Sequence, residues 1–180
     1  HYLDPELSTQ NAVLGLPVKN HVLGLSFQRY GIPEYVEQTA GLALSRSFSA
    51  ALSISLALKY HQVSIPVYGS GHTFSVDAGI QYSLNDRIRL GSYLYNPGGS
   101  RINELSGSHI LSGISVGLAY LISDKVLFLS DLNKMLDFGM NVSMGIEYQI
   151  VRRFYLRGGL SANPFKQTGG FGLKYGRFSL

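Results

Sequence analysis

Hydropathy alternates with a period of two along almost the whole chain, and this feature limits the fold more than any other. Segment 51–60 carries apolar side chains on one phase and small or polar side chains on the other, and segments 73–82 and 140–149 repeat the pattern. Because successive side chains of a strand point to opposite faces, each segment predicts a strand with one apolar face. A helix would instead space its apolar residues three and four positions apart. The chain is therefore predicted to be all-β, with eleven strands and a twelfth that begins at Phe178.

The connections between the predicted strands alternate between short and long. Gly and Pro mark the longer ones, which are predicted at 31–33, 62–72, 96–109, 135–139 and 163–168. An up-and-down meander with tight turns at one end and longer loops at the other is the layout of a transmembrane β-barrel. The loops 62–72 and 96–109 are the best places for contact with a ligand or a partner.

The low charge of the chain distinguishes a membrane barrel from a soluble one. Alternation alone also fits a soluble β-sandwich or a lipocalin-like barrel, in which the apolar face points inward. Only Lys59, Asp77 and Glu147 are charged on the polar face of the three clearest strands, and charged residues make up 14% of the chain. A soluble surface carries about 25–35% charged residues. Each predicted strand is also about ten residues long, the length that crosses a bilayer at a tilt. These observations favour an antiparallel transmembrane barrel in a bacterial outer membrane.

Tyrosines recur at strand ends on the apolar face. All but one of them come just before a short turn. Membrane barrels place amphipathic aromatic rings at the two interfaces, where the ring contacts lipid and the hydroxyl contacts water. The predicted aromatic girdle consists of Tyr60, Tyr82, Tyr120, Tyr148 and Tyr175.

Charged residues on the polar phase of the strands are predicted to face the lumen of the barrel. Their signs are mixed and nearly balanced, which does not favour an ion filter of one sign. Isolated charges in a low-dielectric interior are costly, so an interior locked by ion pairs is favoured over an open charged pore. The predicted lumen-facing polar residues are Glu37, Lys59, Asp77, Arg87, Arg89, Asp131, Glu147, Arg157 and Lys174.

The strand count predicts one β-barrel domain over residues 1–180 that is part of a longer barrel. Bacterial barrels have an even number of strands and short turns on the periplasmic side. The first strand here runs towards a short turn, and the twelfth is cut short at Leu180. We therefore expect one further strand before His1 and one after Leu180, which gives about fourteen strands in the complete protein.

No catalytic, metal-binding or cofactor-binding site is predicted. The chain has no cysteine, and its five histidines show no metal-ligand spacing. The stretch Gly69-Ser70-Gly71-His72 is not the Gly-x-Ser-x-Gly motif of a nucleophile elbow. Basic residues are scattered, which argues against nucleic-acid binding. We therefore expect a non-enzymatic protein without a cofactor, and a barrel enzyme with a site at its rim is the least favoured alternative.

Several hairpin stretches are similar to one another. They are Gly79–Pro97, Tyr120–Leu129 and Gly145–Leu160, and the segment Gly169–Tyr175 shares their pattern. This pattern resembles the hairpin signature of Bacteroidota outer-membrane β-barrel proteins of the FadL/PorV-like group. The motif describes barrel hairpins and carries no catalytic residue.

The resemblance implies a fourteen-stranded outer-membrane barrel and two possible roles. PorV-like and PorQ-like members serve the type IX secretion system, so the first expectation is a non-enzymatic subunit of an outer-membrane secretion or export assembly. FadL-like members transport hydrophobic small molecules, which is the alternative. The expected partners are outer-membrane lipid, lipopolysaccharide and other outer-membrane or secretion proteins.

Overall fold

The structure is a computed structural model that describes residues 7–66, 69–102, 110–175 and 178–179, with the backbone only for 174–175 and 178–179. His1, His109 and residues 67–68 lie outside this range. The described residues contain no helix that is long and apolar enough to span a membrane. They form β1 (Ser8–Val18), β2 (His21–Ile32), β3 (Tyr35–Ser47), β4 (Leu52–Ile65), β5 (Gly69–Ser83), β6 (Ile88–Tyr95), β7 (Gly113–Ser123), β8 (Val126–Met135), β9 (Met140–Val151), β10 (Phe154–Ala162), β11 (Phe165–Tyr175) and β12 (Phe178–Ser179).

The strands form one antiparallel up-and-down sheet, in which each strand is hydrogen-bonded to the next one along the chain. The predicted all-β fold and the strand count are confirmed. The order runs from β1 to β12 without a crossover, and within the described residues the sheet is open at these two strands. The two additional strands that the sequence predicts lie outside the chain and stay a prediction.

Contacts divide the chain into two compact units. Unit 1 comprises His1–Ser49, Ser53–Gly79 and Leu94–Ser112, and unit 2 comprises Ala50–Leu52, Ile80–Tyr93 and Gly113–Leu180. Unit 1 therefore contains the first three strands and most of β4, whereas β7 to β12 lie in unit 2.

In unit 1, the register aligns leucines into continuous rows across the strands. Leu14 is opposite Leu25, Leu25 is opposite Leu42, and Leu42 is opposite Leu58. All four side chains are exposed. Cross-strand pairs of apolar side chains stabilise a sheet, and a one-residue slip would turn the whole row to the other face. The alternation in the sequence therefore fixes both the pairing and the orientation of these strands.

Unit 2 shows the same orientation. Met144 is opposite Leu160 across β9 and β10, and both side chains are exposed. Ile146, on the same face of β9, is 50% exposed, whereas the side chain of Glu147 on the other face is 25% exposed. The apolar face of the sheet is thus more exposed than the polar face.

The residues that are buried are mainly polar. Among the described residues, the buried hydrophobic side chains are Val63 and Ile102. The buried polar ones are Ser75, Asp77, Asn96, Ser112 and Ser115. Soluble proteins bury aliphatic side chains and leave Asp, Asn and Ser mostly exposed. This inverted distribution contradicts a soluble barrel and matches an apolar wall that faces lipid.

Four of the five predicted longer connections have four connecting residues or fewer. β4 continues to Ile65 and β5 begins at Gly69, so most of the predicted loop 62–72 belongs to a hairpin. The predicted loop 163–168 contains only two connecting residues, because β11 begins at Phe165. Gly and Pro in these segments indicate loops, but the period of two continues through them. Only the connection 96–112 is long within the described chain.

The longest strands extend past the apolar part of the sheet. β3, β4 and β5 have 13, 14 and 15 residues, whereas about 9–11 residues cross a bilayer at a tilt. On the apolar face, Tyr60 is followed by Gln62, which is opposite Gln38. Two amides on the lipid-facing phase mark the end of the hydrocarbon region. The residues beyond this level extend towards the connections that follow β2 and β4.

Replacement of Ile146 by lysine should destabilise the protein in lipid. A lysine on the lipid-facing side of a barrel costs about 2–4 kcal/mol near the bilayer midplane, and the cost decreases towards the interfaces. On a soluble surface, a substitution of a half-exposed side chain would change stability by about 0.5 kcal/mol or less. Urea titration of the protein folded in phospholipid vesicles measures the difference. The matched control is Ile150→Lys, on the same phase near the end of the same strand, for which we expect at most about 1 kcal/mol.

Candidate functional site

A partly buried polar network in unit 1 joins the polar face of β3, β4 and β5 to the ends of the connection 96–112. We define it by Thr39, Lys59, His61, Ser75, Asp77, Asn96 and Ser112. The register places Thr39 opposite His61, and Gly41 opposite Lys59. These positions share the polar phase of the strands, so the period of two brings the side chains together.

An ion pair forms the centre of the network. Lys59 Nζ lies 2.6 Å from Asp77 Oδ2, and the Asp77 side chain is almost completely buried. The backbone N–H of Asn96 donates to Asp77 Oδ1 at 2.9 Å. A buried carboxylate is costly unless it is paired and hydrogen-bonded, and Asp77 meets both conditions. The pair therefore connects β4, β5 and the residue that follows β6.

Asn96 holds both ends of the long connection 96–112. Its side-chain amide Nδ2 donates to the carbonyl oxygens of Ser100 and Ile110 and to Ser112 Oγ at 3.0–3.2 Å. Its Oδ1 accepts from the Ser100 N–H at 2.9 Å, and Ser112 Oγ donates to the Asn96 carbonyl oxygen at 2.9 Å. The backbone φ of Asn96 is +42°, a region that asparagine tolerates better than most residues.

His61 connects the three longest strands. Its Nδ1 lies 3.2 Å from Thr39 Oγ1, and its Nε2 lies 2.8 Å from Ser75 Oγ. A serine within hydrogen-bonding distance of a histidine is the starting point for nucleophilic catalysis. Here, however, Ser75 is only 2% exposed, and a threonine hydroxyl occupies the place of the carboxylate that would orient the base. The arrangement is that of a cross-strand structural bridge.

Tyr35 and Glu37 complete the polar face at the start of β3. The Tyr35 hydroxyl donates to the Glu37 carboxylate. Glu37 is opposite Val63, one of the two buried hydrophobic side chains in the described residues. A hydrogen bond to a carboxylate is charge-assisted and stronger than a neutral one.

Unit 2 has smaller polar contacts on its own polar face. Arg157 Nε lies 2.6 Å from Glu147 Oε2, across the pair of β10 and β9. A Cβ on Gly172 would lie 3.3 Å from the Arg157 guanidinium, so the glycine leaves room for this side chain. The Ser115 hydroxyl donates to the Asp131 carboxylate. Both contacts join neighbouring strands.

The charged residues predicted to face the lumen differ in their positions. Six of them have side-chain contacts on the polar face, namely Glu37, Lys59, Asp77, Asp131, Glu147 and Arg157. Arg87 is exposed in the connection between β5 and β6, and Arg89 is exposed in β6. Lys174 is in β11, where the structure describes only the backbone. That these residues line a lumen stays a prediction.

Three of the predicted girdle tyrosines, Tyr82, Tyr120 and Tyr148, lie within three residues of a strand end, whereas Tyr60 lies inside β4, five residues before Ile65, because β4 is longer than predicted. Tyr82, Tyr120 and Tyr148 are exposed. Tyr60 is partly covered, because its ring lies 5.2 Å from that of Phe74 and 6.0 Å from that of His72, measured between centroids. Tyr175 is in β11, and its side chain is not described. The interfacial role of these residues stays a prediction.

Sequence analysis missed several members of the network. His61, Ser75 and Thr39 share the phase of Lys59 and Asp77, so the period of two could have placed them on the same face. No comparable signal points to Asn96 or Ser112, because the sequence Asn96-Pro97-Gly98-Gly99 indicates only a turn. Within the described chain, no group of three or more His, Asp or Glu side chains could hold a metal ion.

Comparisons with known proteins indicate the fold. No protein-family model matches the chain. No curated protein matches it. Several solved structures do. The toluene transporter TbuX of Ralstonia pickettii has a TM-score of 0.65 at 10% identity, over 93% of this chain and 72% of TbuX. The toluene transporter TodX of Pseudomonas putida has a TM-score of 0.64 at 10% identity, over 94% of this chain and 78% of TodX.

A third similar structure is a FadL homologue of Pseudomonas aeruginosa, with a TM-score of 0.58 at 11% identity, over 96% of this chain and 67% of that protein. These neighbours are outer-membrane transporters. At this level of identity, the similarity shows the fold alone. Nothing in the comparisons points specifically to the Bacteroidota, to PorV or to a secretion assembly. A Rh. blastica porin is also similar, with a TM-score of 0.60 at 14% identity, over 93% of this chain and 55% of the porin. The chain therefore has the fold of outer-membrane β-barrels, and its structural neighbours include both FadL-type proteins and a porin.

Replacement of Asp77 by alanine should destabilise the protein strongly. The substitution would remove the carboxylate that pairs with Lys59 and that accepts the hydrogen bond from the Asn96 N–H. Loss of one partner of a buried ion pair costs about 3–5 kcal/mol. The free energy of unfolding in vesicles, measured by urea titration, tests this value.

Glu147→Ala is the matched control, because it removes the carboxylate of the more exposed pair with Arg157. We expect a cost of about 1 kcal/mol or less for this pair. Equal costs for the two variants would contradict the structural role assigned to Asp77.

Proposed function

We propose that this protein is a non-enzymatic barrel of the bacterial outer membrane that transports small hydrophobic molecules. The observation that supports this most directly is the similarity to three FadL-type structures, two of which are toluene transporters. The exposed leucine rows of unit 1 fit a wall that contacts lipid. The function is the alternative that the sequence resemblance implies, and the comparisons favour it over a secretion subunit.

The polar face supports a passage that does not select ions of one sign. Lys59 neutralises Asp77, and Arg157 neutralises Glu147. A selective ion channel presents rings of one charge to its pore. Where the charges of the face are paired, it attracts neither anions nor cations strongly, and uncharged molecules are the class that it excludes least. Small aromatic hydrocarbons are therefore the first substrates to test.

Uptake of deuterated toluene by cells that carry the protein in their outer membrane tests the proposal. Lipopolysaccharide slows the entry of hydrophobic molecules, so a transporter should increase the initial rate of uptake. The control is the Ile146→Lys variant, which should insert poorly and leave uptake at the level of cells without the protein. A disaccharide serves as the hydrophilic comparison, and its uptake should not change.

Two results would contradict the proposal. One is uptake of toluene at the same rate with and without the protein. The other is an equal increase for toluene and the disaccharide, which would indicate a general pore. Purification from mild detergent distinguishes the secretion interpretation, because a subunit of an assembly should bring a stoichiometric partner with it.

A further inference from the structure

A row of polar side chains crosses the apolar, lipid-facing wall of unit 1. The register places Gln10 opposite Arg29, Arg29 opposite Gln38, and Gln38 opposite Gln62. We call these four residues the outer polar row. Each lies four positions along its strand from the exposed leucine of that strand, so the row shares the phase of the leucines. Gln10 is exposed, and the other three residues are partly exposed.

The outer polar row lies towards the edge of the sheet that carries the long connection 96–112. That connection follows β6, and β2 and β4 end at the same edge, because consecutive strands are antiparallel. The longer loops of outer-membrane barrels face the outside of the cell. Four residues of about 3.4 Å each, shortened by the strand tilt, separate the row from the leucines by roughly 10 Å. The row therefore lies at the level of the headgroups of the outer leaflet.

A depression along β3 connects the leucines to the outer polar row. Between them, the register places Phe27 opposite Ala40, and Ala40 opposite Tyr60. The two aromatic residues are two strands apart, which is roughly 10 Å. The exposed Ala40 has only a methyl group, so it leaves space between them. An acyl chain that lies along β3 would contact Leu42 and Ala40 and would place its headgroup at Gln38.

The side chains of the outer polar row are available to a ligand. Within the described residues they make no hydrogen bond, and neither of the two ion pairs includes Arg29. A carboxamide offers both donors and an acceptor, and a guanidinium offers five donors. A ligand that satisfies the whole row must therefore carry hydroxyl or amide groups together with an anionic group.

The positive charge of Arg29 is not neutralised by a neighbouring acid on this wall. The lipid-facing phase of β1 to β4 carries no acidic residue within the described chain. Glu37 lies on the polar face, where the Tyr35 hydroxyl donates to it. The exposed Glu34 lies in the turn after β2, more than three residues past the level of Arg29. That separation is roughly 10 Å, about one Debye length at physiological ionic strength, so the attraction between these two charges is largely screened.

We propose that the outer polar row binds the phosphorylated sugar headgroup of lipid A, the membrane anchor of lipopolysaccharide. The sugars of lipid A carry hydroxyl and amide groups that pair with carboxamides, and its phosphates pair with Arg29. The row crosses four strands, which is roughly 14 Å, and a disaccharide covers more of this width than the single glycerol of a phospholipid headgroup. The apolar wall next to the row fits acyl chains. The inference rests on the proposed placement in the outer membrane and is independent of the transported molecule.

Native mass spectrometry of the full chain in detergent tests the proposal, with lipid A, dephosphorylated lipid A and phosphatidylglycerol as probes. We expect binding to weaken in that order. Arg29→Gln should weaken the binding of lipid A by about tenfold and leave the dephosphorylated form unchanged. The double variant Gln38→Leu, Gln62→Leu should weaken the binding of both sugar lipids by about tenfold and leave phosphatidylglycerol unchanged. Leucine already occupies this phase of both strands, so the double variant should fold.

Two variants outside the row serve as matched controls. Gln167→Leu removes an exposed amide in unit 2 that is opposite Leu160 and therefore on the apolar face, but not next to another polar side chain of that face. Arg152→Gln removes an exposed cation from a short turn at the opposite edge of the sheet. Both variants should bind all three lipids as the unchanged protein does.

Several results would overturn the proposal. They are equal binding of lipid A and phosphatidylglycerol by the unchanged protein, undiminished binding of lipid A in variants of the row whose electrophoretic mobility shows normal folding, and an equal loss in the controls. A dimer that forms without lipid and dissociates in the double variant, with no preference for lipid A, would identify a second copy of the chain as the occupant instead. Toluene uptake is measured separately, so a failed transport assay leaves the lipid preference standing, and the reverse also holds.

Discussion

The apolar face of the sheet points towards lipid and the polar face points away from it, and the other structural features of this protein depend on this arrangement. A strand in hydrocarbon must satisfy its backbone N–H and C=O groups within the sheet, since lipid offers no hydrogen-bonding partner. The side chains must then separate by phase, with apolar groups towards lipid and polar groups away from it. Leu14, Leu25, Leu42 and Leu58 show this separation in unit 1, because they form one exposed row across neighbouring strands.

Side chains on the polar face need ion-pair and hydrogen-bond partners, whereas the apolar side chains on the other face need none. Asp77 is 2% exposed, and such a carboxylate can remain charged only with partners at short range. Lys59 and the backbone of Asn96 supply them, and Asn96 then fixes the long connection through its own amide. The network therefore stabilises the strand extensions and the connection together. The polar face of unit 2 has smaller groups of contacts: Arg157 pairs with Glu147, and Asn141 Oδ1 accepts from Ser161 Oγ and from the Asn163 N–H at 2.9 Å.

The sequence predicted the strands well because the period of two is a local property. It also predicted that Lys59, Asp77, Glu147 and Arg157 share the polar phase. Which charges pair was not predictable from phase alone, because pairing depends on the register between strands and on the distance along them. The role of Asn96 could not be inferred, since its partners Ile110 and Ser112 are far away in sequence. The loop 62–72 was predicted wrongly because Gly and Pro outweighed a weak alternation that cross-strand contacts, such as His61 with Ser75, stabilise.

Spin labels along β9 provide the most direct measurement of the central claim. The chain has no cysteine, so a single cysteine can be introduced at each position without a background signal. In lipid vesicles, labels at 144, 146 and 148 should be accessible to oxygen and protected from a water-soluble nickel chelate. Labels at 143 and 147 should show lower accessibility to oxygen than their neighbours. The reverse pattern, with the apolar positions protected from oxygen and the polar positions open to the chelate, would contradict a lipid-facing apolar wall.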